Sequence, residues 1–391
     1  MKQRRLRRTG WTLVLPLLAF TLVTFLAPIA FMLWKSVYDP EVAGLLPQTR
    51  KALATWQTPA ELPEPQSFDA LSVDLRDLTA DSRISQLALR LNRERPGMRQ
   101  LIEVTGEAIA EGDRPLAEID PRWRDPATWV LLKQMTQPFT TRYFLGALDL
   151  QQTPQGSISR QEEGRRIYLY LFGRTILVAS VVTAVCVVLG YPFAYALASA
   201  QAPLQKLLFF VVMLPFWTSL LVRTTAWIVL LQRRGVINEI LVAMNIVSDR
   251  GRLELIYNLS GTLIVMTHVL LPFFVLPLYA VMKGIPKQYV RAGESLGANP
   301  LRVFLRIYLP MTLPGVLAGA ALVFILSLGY YVTPALVGGR TGQLISNQIA
   351  FHVQTSLNWG LAAALGSILL AVVVALTLLL SRVTQRGVPQ R

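Results

Sequence analysis

Long apolar runs alternate with short polar stretches along most of this chain, and one extended polar region interrupts the rhythm. Trp11 to Trp34 pass almost without charge for more than 20 residues, enough for a helix to cross a bilayer. Five more runs of this kind follow, at Arg174 to Ala198, Leu207 to Leu231, Leu259 to Met282, Leu313 to Thr333 and Leu361 to Leu380. Together they predict an all-α membrane protein with six transmembrane helices and both termini on one side. The first run is longer than the apolar core of a signal peptide and lacks a clear small-residue cleavage site, so it reads as a signal anchor.

Between residues 35 and 166 the hydrophobic pattern gives way to proline, glycine and charge, which predicts an extramembrane insert, mostly helical or partly disordered. Phe68 to Glu111 carry helical spacing within it. The stretch GVINEILVAMNIVSD before the fourth run has apolar positions at helical spacing and predicts an interfacial amphipathic helix. Pro272 and Pro277 predict a kinked fourth span, and Gly315 with Gly319 form a GxxxG pair that admits a close neighbour helix.

At 53% hydrophobic and 16% charged residues over 391, the composition excludes an ordinary soluble domain. A net charge of +15 would suit a nucleic-acid binder, but its placement argues otherwise. The polar region holds 17 basic and 19 acidic residues, and the membrane part holds the other 21 basic residues against four acidic ones. Lys and Arg crowd the start, Lys206, Lys283 to Arg306 and the C-terminal end, while the opposite short loops hold Arg233, Arg234, Arg250, Arg252 and Arg340. By the positive-inside rule both termini are cytoplasmic and the insert is external. Cys186 stands alone, so no intrachain disulfide exists. No GxxxxGK[ST] occurs, and His268 and His352 fall in separate spans with no nucleophile-and-base set around them. The residues offer no catalytic set, no metal ligands and no cofactor site. Transport powered by another chain is what remains, and a secondary transporter is disfavoured because neither inverted repeats nor coupling-ion residues are visible in the spans.

The cytoplasmic stretch 283–312 carries the most specific signal. Pro286 opens a short helix, Gly297 suits the left-handed position after its end, and Asn299 with Pro300 begin a second short helix. In that helix Leu301, Phe304, Leu305 and Tyr308 predict one apolar stripe. The spacing Arg291-Ala292-Gly293, three residues, Gly297, nine residues, Ile307-Tyr308-Leu309-Pro310 resembles the Glu-Ala-Ala loop of permease subunits of binding-protein-dependent ABC importers. Arg291 and Gly293 depart from that pattern. The stretches LGYPFAYALA, LVRTTAWIVLLQRRGVIN, LLPFFVLPLYAVMKGIP and LSLGYYVTPALVGG resemble the spermidine/putrescine branch of the family, from about Ile167 to the C terminus.

The resemblance implies a type I ABC importer permease fold in the bacterial inner membrane. It divides the chain into a cytoplasmic start and first helix (1–34), a periplasmic insert (35–166) and a five-helix core (167–391). Implied partners are an ABC ATPase dimer holding ATP and magnesium, a second permease subunit and a periplasmic solute-binding protein. The implied cargo is a polyamine, or another small solute such as an amino acid derivative, a phosphonate or ferric iron. Arg291, Ala292, Gly293, Glu294, Gly297, Asn299, Pro300, Ile307, Leu309 and Pro310 would form the ATPase-coupling loop. For the pathway, Arg223 is the one ionisable group well inside a span, set against the plainer reading that it snorkels or pairs with Glu239. Trp217, Trp227, Tyr330 and Tyr331 are cation–π candidates that also suit a membrane interface.

Overall fold

The computed structural model describes residues 14–57, 61–112, 114–153 and 157–387, with side chains through 379. The basic start and Trp11 lie outside the described residues, as do the side chains of Arg382 and Arg386 and all of Arg391. The chain divides into two compact units, one of Met1–Ile167 with Ser356–Ser367 and one of Tyr168–Thr355 with Ile368–Arg391.

The first unit starts with helix α1 (Val14–Lys35), whose apolar residues are exposed along its length. Beyond it the insert folds around helices α2 (Pro47–Thr55), α3 (Pro65–Ala80), α4 (Ile84–Glu94), α5 (Met98–Glu111), α6 (Pro126–Met135) and α7 (Arg142–Ala147). Leu71, Leu75 and Leu78 of α3 meet Leu87 and Leu91 of α4 and Leu101 and Ile102 of α5, each set falling on one helical face. Trp123 and Trp129 close this core, and both indoles keep a partner: Trp123 Nε1 donates to Thr105 Oγ1 and Trp129 Nε1 to the carbonyl of Trp123. Pro47 begins α2 without a capping side chain of its own, and the buried carboxylate of Asp74 supplies the cap from α3. It accepts from Thr49 N and Thr49 Oγ1 at 2.7 Å each. A short antiparallel pair, β1 (Leu150–Gln152) and β2 (Ile158–Arg160), completes the insert.

The second unit contains α8 (Tyr168–Ser199), α9 (Ala202–Trp217), α10 (Leu220–Leu231), α11 (Val236–Ala243), α12 (Leu259–Gly284), α13 (Lys287–Ser295), α14 (Pro300–Gly329), α15 (Val332–Val337) and α16 (Ile345–Gln354). The last helix, α17 (Trp359–Gly387), contributes its first turns to the first unit and the rest to the second. Helices α8, α12 and α14 form a tight core around Phe274. A Cβ at Gly319 would come within 2.8 Å of the Phe274 carbonyl, and one at Gly190 within 2.5 Å of the Phe274 ring. Small residues thus let the helix backbones approach, as the GxxxG pair predicts.

Five helices among the described residues are long and apolar enough to cross a membrane, and a sixth is reached only if one bent pair counts as a single span. That pair corrects the expected continuous span from Leu207 to Leu231. Helix α9 ends at Trp217, Thr218 and Ser219 are extended, and the following Leu220–Ala243 stretch leaves at 104°. Pro215 lies inside the last turn and acts on the turn ahead of it, so the break itself is made by the extended backbone at Thr218 and Ser219. Helix α9 has 16 residues, about 24 Å of rise, short of the ~30 Å hydrocarbon core.

Candidate functional site

The loop after α12 positions itself by backbone chemistry. Helix α13 runs over Lys287–Ser295, and Gly297 follows at φ +81°. Gly297 N donates to Glu294 O at 3.0 Å and Ala298 N to Gly293 O at 3.2 Å, the bond pair of a Schellman end. Asn299 then caps the next helix by accepting from Arg302 N at 2.8 Å, with Pro300 in its first turn.

The expected second short helix is not separate. From Pro300 the chain runs on as one 30-residue helix to Gly329. A π turn over Phe304–Tyr308, in which Leu309 N reaches Phe304 O, widens the helix just ahead of Pro310 and so takes in that ring without ending the helix. The π turn also divides the predicted apolar stripe. Phe304 and Tyr308 stack at 6.0 Å and meet Tyr195 edge-on, while Leu301 and Leu305 stay exposed. Val303 and Ile307 face α13 instead, where a Cβ on Gly293 would lie 2.8 Å from Ile307 Cδ1 and 3.2 Å from Val303 Cγ2. The departure at Gly293 therefore has a packing reason: it lets α13 lie close against α14. Arg291, Ala292 and Glu294 are exposed, and nothing in the structure explains the arginine. At the turn Leu296 is 88% exposed, an apolar knob on a basic loop.

The second candidate is a cavity of about 300 Å³ at the bend between α9 and α10. Its wall is mainly apolar: Pro215, Phe216, Leu220, Val269, Leu270, Phe273 and Leu326, with Arg223 and Tyr330 as polar members. Arg223 reaches back across the bend. Its Nη2 donates to the carbonyls of Pro215 and of Thr218, the latter at 2.8 Å, and its Nε donates to Thr218 Oγ1 at 3.2 Å. These acceptors lie at the C-terminal end of α9, where helix carbonyls lack intrahelical partners. Glu239, the carboxylate weighed as a partner for Arg223, instead binds Arg252 at 2.8 Å. Tyr330 stands at a second break, between α14 and α15. There Ser346 Oγ donates to the Tyr330 carbonyl at 2.7 Å, and Asn347 Nδ2 to that of Tyr331 at 2.8 Å.

Of the five pathway residues read from the sequence, the cavity brings together Arg223 and Tyr330. Trp217 is 68% exposed and packs on Phe210, and Trp227 donates to His268 Nδ1 at 3.1 Å. Tyr331 is exposed at the break. The acceptors of Arg223, the carbonyls of Pro215 and Thr218, were missed by sequence reasoning. Pro215 followed by Thr218 and Ser219 was the available signal, a helix breaker ahead of two turn-prone residues.

Residues 186–388, more than half of the chain, match the family described as binding-protein-dependent transport system inner membrane component. The spermidine/putrescine transport system permease protein PotB of Escherichia coli is 34% identical over 213 residues, covering 54% of this chain and 76% of that protein. The inner membrane ABC transporter permease protein YdcU of Escherichia coli is 32% identical over 201 residues, 49% of this chain and 64% of its own. The molybdenum transport system permease protein ModB of Mycobacterium bovis is 31% identical over 206 residues, 52% of this chain and 75% of its own. With its long apolar helices, the chain belongs to the family of binding-protein-dependent transport system inner membrane components, as a multi-pass transport subunit and not an enzyme.

Proposed function

We propose that this chain forms the translocation pathway of an ATP-driven importer for polyamines or a related small solute. The observation that carries the reading is the likeness to the spermidine/putrescine permease over three quarters of that protein's length. A permease of this family works with an ATPase and a solute-binding protein. We place a second permease subunit beside it, six spans in all with α9 and α10 together crossing once, cytoplasmic termini and an external insert. Alternating access would follow from ATP-driven closure of the partner ATPases. The loop from Lys287 to Pro310 would transmit that closure, with Leu296 and the exposed face of α13 seated on the ATPase. Arg291, Ala292 and Glu294 supply that face, and Gly293, Gly297, Asn299, Pro300, Ile307 and Leu309 hold it in place. Because α14 is continuous, a push on the loop acts directly on a helix that ends at the cavity wall. The sequence-derived pathway narrows to Arg223 and Tyr330.

A second reading, the same importer with another solute, is favoured by the cavity wall, which contains no Asp or Glu. The test is reconstitution of the chain with its ATPase, second permease and binding protein in proteoliposomes. ATP-dependent uptake of labelled putrescine or spermidine supports the first reading. Uptake of a different solute alone supports the second, and uptake by the lone chain driven by an ion gradient overturns both.

A further inference from the structure

Arg223 occupies a place built for a cation. The end of α9 presents the carbonyls of Pro215 and Thr218 together with Thr218 Oγ1, which itself donates to the Pro215 carbonyl at 3.3 Å, and one guanidinium reaches all three. A helix C-terminus carries partial negative charge and leaves carbonyls without intrahelical partners. Here the extended conformation of Thr218 and Ser219 prevents the following backbone from closing over them. The wall around these oxygens is apolar, so the Thr218 carbonyl and the lone pairs that the Thr218 hydroxyl leaves open call for a further donor, from inside the chain or from a ligand. Arg223 comes from the far side of the 104° bend on a long flexible stem and is only half-buried, so the donor it supplies can be withdrawn without unfolding either helix.

We propose that the carbonyl end of α9 is a binding site for a primary ammonium or guanidinium group, and that Arg223 is its tethered occupant in this state. An ammonium carries three donors on one nitrogen and matches three converging oxygens, whereas a quaternary amine has no N–H to offer. Two cations do not share these oxygens, so an arriving ammonium displaces Arg223 and releases the link across the bend. This deepens the polyamine reading and rests on it only for the identity of the natural cation.

The test is thermal unfolding of the purified full chain in nanodiscs, for wild type, Arg223→Ala and Arg223→Lys, with ethylammonium, ethylguanidinium or tetramethylammonium at constant ionic strength. The Arg223→Ala chain is expected to melt below wild type and to regain roughly 3 °C or more, saturably, with ethylammonium or ethylguanidinium but not with tetramethylammonium. Wild type and Arg223→Lys, in which a tethered cation competes for the same oxygens, are expected to shift much less at the same ligand concentration. If Arg223→Ala yields no folded chain, Arg223→Gln takes its place, since one amide leaves acceptors open. An equal shift in wild type, or no saturable shift in the neutral variants, overturns the site. Putrescine uptake by the assembled importer is a separate readout: if uptake fails while the ethylammonium shift stands, the cargo reading falls and the carbonyl site remains.

Discussion

The two units of this chain handle buried polarity in opposite ways. In the insert, Arg90 has a side chain only 4% exposed, yet it bonds Asp39 at 2.8 Å and Glu94 at 3.1 Å and donates to Tyr143 Oη at 2.7 Å. Arg142 adds a second cation against Asp39 at 3.2 Å. In the second unit the buried polar residues are Thr, Ser, Asn and His, with no buried carboxylate among the described residues. Thr175, Thr224 and Ser327 return their hydroxyls to the carbonyl four residues back, so each of these three is satisfied within its own helix. The insert completes its charge cluster with carboxylates that are only half-buried. The membrane core offers no such carboxylate among the described residues, and close packing at glycine replaces charge as the means of fixing helices.

Removing Arg90 is the strongest way to break the insert's side of this contrast. Arg90→Ala removes the donor shared by the half-buried Asp39 and Glu94 and the buried Tyr143 hydroxyl, leaving Arg142 to pair with both carboxylates, and the expected loss is about 3 kcal/mol. Chemical denaturation followed by tryptophan fluorescence, with Trp123 and Trp129 in the core, checks it. A loss under about 1 kcal/mol would mean that the cluster is only a surface network.

The same cluster sets a pH dependence at both ends. Burial alone would raise the Asp39 carboxyl, but the charge of Arg90, the Tyr143 hydrogen bond and Arg142 outweigh it and hold the group below its usual 3.8. Its contribution is therefore complete above about pH 4 and is lost as pH falls through the depressed value. Burial pushes the Tyr143 phenol up to about 12 from 10.0, against the opposing charges of Arg90 and Arg142. That contribution is complete below pH 10 and is lost between 10 and 12, an effect of about 3 kcal/mol at most. Tyr143→Phe should flatten the alkaline limb in the same denaturation assay, and an unchanged limb would assign it to other tyrosines.

In the membrane core the matching perturbation is a methyl group. Gly319→Ala would place a Cβ 2.8 Å from the Phe274 carbonyl, which is backbone and cannot rotate away, so α12 and α14 must separate. The expected cost is about 1–3 kcal/mol, read as a lowered melting temperature in nanodiscs. Gly366→Ala, with nothing within 4 Å, is the control and should melt at or slightly above wild type, since alanine is the better helix former.

How far each region could be read from the sequence follows the same division. Apolar runs report burial in lipid directly, so the spans around α1, α8, α12, α14 and α17 were legible to within a few residues at most ends. The bend at Thr218 was not, because hydropathy is blind to backbone direction and Pro215 sits in an otherwise unbroken apolar run. The continuity of α14 was hidden by Pro310 and Pro314, a residue type that usually ends a helix, and both are taken into it, the first just behind a π turn. Arg223 stood out as a charge in a span. Its partners did not, since carbonyl acceptors have no side-chain signature. The Arg90 cluster joins residues up to 104 positions apart, beyond the reach of any periodicity.

The smallest predicted effect compares two glycines of the loop after α12 and separates contact from backbone conformation. At Gly297 an added Cβ would meet nothing within 4 Å, but φ is +81°, so Gly297→Ala strains the turn by about 1 kcal/mol through the backbone alone. Asn tolerates that region better, and Gly297→Asn should recover most of the loss. At Gly293 the backbone is helical and the obstacle is the Ile307 side chain at 2.8 Å, so Gly293→Ala should be relieved by Ile307→Val, which removes that methyl. ATPase stimulation by transported solute in the reconstituted importer reads both. If Ile307→Val rescues Gly297→Ala equally well, the two glycines act through one contact, and the backbone argument for the turn fails.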